Sequence, residues 1–150
     1  MKRANEEYGE CRFCNIINSK EPDYKVFEND ISLAFLDKRP LFIGHTLLVP
    51  KKHIETLYDM PNEIIGGLFS DVKFVAKGVE LAMHADGTFI AINNRVSQSV
   101  PHLHVHIVPR KYNERLKGFF WPRTEYKNKN EAIKVMDSIK KELALLKKQE

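Results

Sequence analysis

Leu103, Val105 and Ile107 alternate with His102, His104 and His106. A period of two sends the apolar side chains to one face of an extended strand and the imidazoles to the other. The run therefore predicts a half-buried strand bracketed by Pro101 and Pro109, since proline cannot donate to an interior ladder. Residues 24–28 and 31–37 read as two more strands joined by the short polar turn Asn29-Asp30. Residues 43–49, ended by Pro50, make another strand, and residues 88–93 a further one. Between 59 and 85 the period lengthens to that of a helix: Ile64, Leu68, Val72, Val75, Val79 and Met83 form one apolar stripe. Asp59 and Pro61 would open this helix, and Asp86-Gly87 would stop it. Ala132, Ile133, Met136, Ile139, Leu143 and Leu146 mark a last helix capped by Asn130, and Phe13, Ile16 and Ile17 a short first one. The expected class is α+β: an antiparallel sheet of about five strands, one long central helix, a short N-terminal helix and a C-terminal helix.

Three glycines inside the long helix, Gly66, Gly67 and Gly78, each cost about 1 kcal/mol relative to alanine, which suggests close packing against a partner helix. His84, at its end, reads as a favourable charge near the helix C-terminus.

The length of 150 residues and a hydrophobic content of 43% suit one compact domain over 1–150, with 1–10 frayed and 127–150 a helical extension. No run of about 18 apolar residues occurs and the first residues lack an apolar stretch, so a cytoplasmic protein with no membrane partner is expected. The formal charge of +4 changes little, because much of the lysine lies between 127 and 148 as a solvated helix face. No basic groove interleaved with aromatics is present, so nucleic acid is not an expected partner. Two cysteines are too few for a disulfide framework. A redox role for Cys11-x-x-Cys14 would need a βαβ context that the pattern lacks, and a structural zinc site would need two further ligands, which the histidines can supply.

Three readings of the histidine row remain open. Three core imidazoles would need three sets of buried hydrogen-bond partners. His-x-His could supply two ligands of a catalytic zinc or copper site. A nucleophile would need a neutral ring, an orienting group on its second nitrogen and a nearby acid, and an ordinary pKa of about 6.5 leaves much of the ring neutral near pH 7. The last reading fits best.

The motif His102-Leu103-His104-Val105-His106, behind Gln98-Ser99-Val100, resembles that of the histidine triad (HIT) superfamily of nucleotide hydrolases and transferases. Gly44-His45-Thr46-Leu47-Leu48-Val49-Pro50-Lys51-Lys52-His53 is similar to a second segment of that family, and Phe35-Leu36-Asp37 to its ribose-contacting strand; the likeness runs from about Cys11 to Arg110. This resemblance implies a HIT-like fold with a nucleophilic His104, oriented by the carbonyl of His102, and with His106 and Ser99 at the phosphate and leaving group. It implies Asp37 on the ribose hydroxyls, Phe13 and Ile16 against the nucleobase, Asn93 and Gln98 with Ser99 as phosphate contacts, and His45 behind the triad. It further implies a structural Zn2+ on Cys11, Cys14, His53 and His102, a purine nucleotide or nucleotide conjugate as partner, and a homodimer formed through the long helix. Trp121-Pro122 is similar to a Trp-Pro that reaches a neighbouring active site across the dimer in one branch. The expected activity is hydrolysis at the α-phosphate of nucleoside phosphoramidates or dinucleoside polyphosphates, and His106, where the uridylyltransferase branch has glutamine, favours water as acceptor. The alternatives are a nucleotidyltransferase or phosphorylase of the same superfamily, a nucleotide sensor or scaffold with incidental turnover, and a metalloenzyme.

Overall fold

The computed structural model describes residues 11–19, 24–114 and 123–148. Residues 1–10 and the Trp121-Pro122 pair lie outside them. Helix α1 is Arg12–Asn18, and the strands are β1 (Lys25–Glu28), β2 (Ser32–Leu36), β3 (Thr46–Pro50), β4 (Gly87–Ile92) and β5 (Val105–Arg110). Helix α2, Asn62–Ala82, separates β3 from β4, and α3, Lys129–Lys147, follows β5. The five strands form one sheet in the order β1-β2-β3-β5-β4, antiparallel at every step.

Both faces of the sheet are covered. Leu36, Leu48, Leu103, Val105 and Ile107 pack on one face against Leu68, Val72, Val75 and Val79 of α2 and Ile139 and Leu143 of α3. Leu33, Phe35, Leu47 and Val49 meet Phe13 and Ile16 of α1 on the other. The histidine strand is therefore buried on both sides rather than half-buried: His102, His104 and His106 are 0%, 3% and 8% exposed. Alternation reports two chemically different faces, and here the second is roofed by α1.

The regular strand also starts later than the prolines suggested. Leu103 N–H donates to the Ile54 carbonyl at 2.6 Å, which takes residues 101–104 out of the sheet ladder, and pairing begins at Val105. Pro109 falls inside β5, beyond Ile107, the last residue that β5 pairs with β3. Helix α2 begins at Asn62, not Asp59. Asp59 instead closes a separate turn over Leu57–Asp59 by accepting from Thr56 N–H and Oγ1–H at 3.1 and 2.6 Å. Its C-terminus is a Schellman motif in which His84 takes φ +49°, His84 N–H donates to Leu81 and Ala85 N–H to Glu80. His84 thus acts through its backbone. Asn128, not Asn130, caps α3 by accepting from Glu131 N–H at 2.9 Å, and Val135 joins the buried stripe.

Two of the helix glycines are used within the chain: Gly78 admits Leu143 of α3, and Gly67 admits Ile31, while Gly66 meets no neighbour. Gly44, at φ +97° against Met83, turns the chain into β3 and delivers His45 beneath the histidine row.

Candidate active site

Backbone groups, whose donor and acceptor roles are fixed, assign the proton on each imidazole of the site. The His102 carbonyl accepts from His104 Nδ1 at 2.7 Å, so His104 carries its proton on Nδ1 and its lone pair on Nε2. Leu41 N–H donates to His45 Nδ1 at 3.1 Å, which puts the His45 proton on Nε2. His45 Nε2 then donates to His106 Nδ1 at 2.9 Å, leaving the His106 proton on Nε2. The Pro50 carbonyl accepts from His102 Nε2 at 2.9 Å, and His102 Nδ1 turns its lone pair to the cysteines.

These assignments describe neutral rings, and burial keeps them neutral. Desolvation lowers His45 to about 3, and His102 and His106 to about 4. His104 is also lowered by burial, against the opposing pull of the His102 carbonyl and Asp37. A row of neutral imidazoles with alternating donors and lone pairs results.

His104 and His106 line a cavity of 280 Å³. Phe13, Ile16, Phe35 and Leu47 supply an apolar wall, with the Phe13 ring edge-on to His104 at 5.1 Å between centroids. Asp37 and Ser99 lie on its polar side together with Arg12, Lys38, Arg39 and Arg123. The sequence reading did not pick out these four cations. Arg123 Nη1 donates to Asp37 Oδ2 at 3.0 Å and to the Arg39 carbonyl at 2.7 Å, and Arg39 N–H donates to Asp37 Oδ1 at 2.8 Å. Arg123 stands 86 positions from Asp37, so no local pattern could have joined them.

The other expected site residues lie further back. His45 is fully buried and lies behind the cavity wall, bonded to His106 and with Nδ1 3.8 Å from Asp37 Oδ2. Asn93 and Gln98 are not among the cavity's lining residues. Gln98 shapes its own loop, accepting from Arg95 N–H at 2.7 Å and donating to the Glu55 carbonyl at 2.6 Å. Asn93 follows the end of β4, whose register pairs Ile92 with Val105 beside His104.

Cys11, Cys14, His53 and His102 form a separate cluster whose four ligand atoms lie within 4.8 Å of one another. Cys11 Sγ is 3.5 Å and Cys14 Sγ 3.6 Å from His102 Nδ1, and Cys14 Sγ is 3.2 Å from His53 Nδ1. Tetrahedral zinc, with sulfur at about 2.3 Å and nitrogen at about 2.0 Å, spaces its ligands by about 3.5 Å, so the donor set fits a Cys2His2 site. Burial, and then the neighbouring Cys11 thiol, push Cys14 up to about 12. Asp37, His45 and His106 form a second group, but there Leu41 N–H occupies His45 Nδ1 and Arg123 holds Asp37. His104 belongs to neither group among the described residues, so the row is not assembled as one metal site.

The HIT domain family model matches residues 18–113. The chain is 35% identical over 109 residues to the adenylylsulfatase HINT3 of Arabidopsis thaliana, covering 71% of this chain but only 55% of that protein. It is 36% identical over 117 residues to the adenosine 5′-monophosphoramidase HNT1 of Saccharomyces cerevisiae, covering 77% of this chain and 72% of that one. The crystal structure of a zinc-bound histidine triad family protein from Mycobacterium smegmatis superposes with a TM-score of 0.81 at 32% identity, over 95% of this chain and 99% of the other.

Proposed function

Because this chain belongs to the HIT domain family, we propose that it hydrolyses nucleotide conjugates at the α-phosphate through a nucleotidyl-histidine intermediate. One observation carries the reading: His104 gives its Nδ1 proton to the His102 carbonyl and so keeps an Nε2 lone pair in a ring that lines the cavity beside His106. The Nε2 lone pair attacks the phosphorus, the bond to the leaving group breaks with its electron pair on that group, and the group takes a proton from water, aided by His106 and Ser99, that is returned when the intermediate is hydrolysed. Water then cleaves the phosphorus–nitrogen bond, releasing the nucleoside monophosphate and regenerating His104. The His106 Nε2–H, held by His45, and the surrounding cations stabilise the phosphoryl oxygens without a proton moving first.

Asp37 accepts the ribose hydroxyls, and Phe13 and Ile16 flank the base. Asn93 and Gln98 support the phosphate loop. A zinc ion on Cys11, Cys14, His53 and His102 would be structural, since four protein ligands leave no coordination position for water. The relatives named above act on an adenylylated sulfate and on a phosphoramidate by their names, which supports a purine conjugate as substrate here. Residues 1–150 act as a single cytoplasmic domain and dimerise through α2. No helix of the described residues is long and apolar enough to cross a membrane.

The test supplies adenosine 5′-phosphoramidate and diadenosine polyphosphates to the wild type and to His104→Ala and measures AMP release. The variant should lose activity by on the order of 10³-fold or more while keeping its fold. Equal rates would remove His104 from the mechanism.

A further inference from the structure

Most of the cavity's polar wall comes from β2, the loop after it and the run into β5, but Arg123 comes from the approach to α3. That approach is fastened along the loop between Asp37 and His45. Thr124 N–H donates to the Pro40 carbonyl at 2.7 Å, and Tyr126 Oη accepts from Gly44 N–H at 3.2 Å. Arg123 completes the seam by gripping Asp37 Oδ2 and the Arg39 carbonyl through one nitrogen, while Arg39 N–H takes Asp37 Oδ1. The Asp37 carboxylate is thereby held at both oxygens, and rotation about its Cβ–Cγ bond would break two bonds. With roughly four acceptor sites, a carboxylate so held still has lone pairs for two further hydroxyls.

The Arg123 side chain is 43% exposed, so the ion pair adds little to stability. Its effect falls on orientation. We propose that Arg123 is a positioning residue for sugar recognition: by locking the Asp37 carboxylate, it makes the cavity select ribonucleotides over 2′-deoxyribonucleotides. The inference rests on the nucleotide-binding reading above and extends it to a residue from the C-terminal part of the chain. The same positive charge also lowers the proton affinity of His104 and His106.

Calorimetric titration of the full chain with AMP and with 2′-deoxy-AMP tests this without requiring turnover. The wild type should prefer AMP, and Arg123→Gln should lose about 5-fold of that preference, with AMP binding weakened by that factor more than 2′-deoxy-AMP binding. Arg123→Lys, which keeps charge and donors, should restore part of it. Asp37→Ala should abolish the preference, and adding Arg123→Gln to it should change nothing further. An unaltered preference in Arg123→Gln overturns the proposal, as does tighter AMP binding, which would make Arg123 a competitor of the sugar. A wild type that binds both nucleotides equally also overturns it, yet leaves the hydrolase reading intact if His104-dependent AMP release persists. Binding of neither nucleotide removes both.

Discussion

The first two histidines of the row are alike in residue type and burial and opposite in wiring. The first, His102, gives Nε2–H to the Pro50 carbonyl and turns Nδ1 toward two thiols. Two residues on, His104 gives Nδ1–H to the carbonyl of His102 itself, and its remaining lone pair belongs to the cavity. The first is fitted to hold a metal, the second to attack an electrophile. The difference teaches that a histidine's role is assigned by whichever carbonyl its first nitrogen meets. The two roles meet in one residue but use different parts of it, the His102 ring for the thiols and the His102 backbone carbonyl for His104.

The comparison breaks most visibly at the thiols. Cys11→Ser should reduce bound zinc from one equivalent to none and lower stability by about 3 kcal/mol or more, measured by metal analysis and thermal unfolding. Activity per folded molecule should survive, because His104 is not in the cluster; metal retained in Cys11→Ser but lost in His104→Ala would reverse the two assignments. A smaller effect sharpens the cavity side. His45→Ala frees the His106 tautomer and should lower kcat about 10-fold, whereas His45→Gln, which can accept from Leu41 and donate to His106, should retain most of it. Equal losses in the two variants would mean that His45 merely fills space.

The smallest effect is in pH. Burial lowers His104 from its ordinary value and places His106 at about 4, so the acid limb of kcat/KM should lie under pH 6.5. The unfolded chain binds these protons near pH 6.5 while the folded chain takes them only near 4 for His106 and 3 for His45. Stability should therefore fall as pH drops below 6.5, which circular dichroism across the same range separates from the kinetic limb. A limb centred above 6.5 would contradict the buried, neutral row.

Much of this was readable from the chain alone. Period-two and helical stripes located the five strands and three α-helices though not the separate turn over Leu57–Asp59, and the family resemblance picked out the Cys11, Cys14, His53 and His102 cluster that the fold brings together. What escaped depended on contacts between distant segments. The diversion of Leu103 to Ile54 shortens the strand that the alternation predicted, and Leu143 seated at Gly78 explains inside the chain a glycine that had suggested a partner helix. Arg123 carried no signal because its meaning comes from Asp37, and the part Gln98 plays in its own loop, through Arg95 N–H and the Glu55 carbonyl, lay equally outside any local pattern.

Cys11 and His102 are 91 positions apart. On a translating ribosome the cluster they share cannot close until the run into β5 has emerged, long after α1 has been made. Helix α1 is thus fastened in two stages, its apolar face to Phe35 and Leu47 of strands already made and its thiols to a histidine that arrives later.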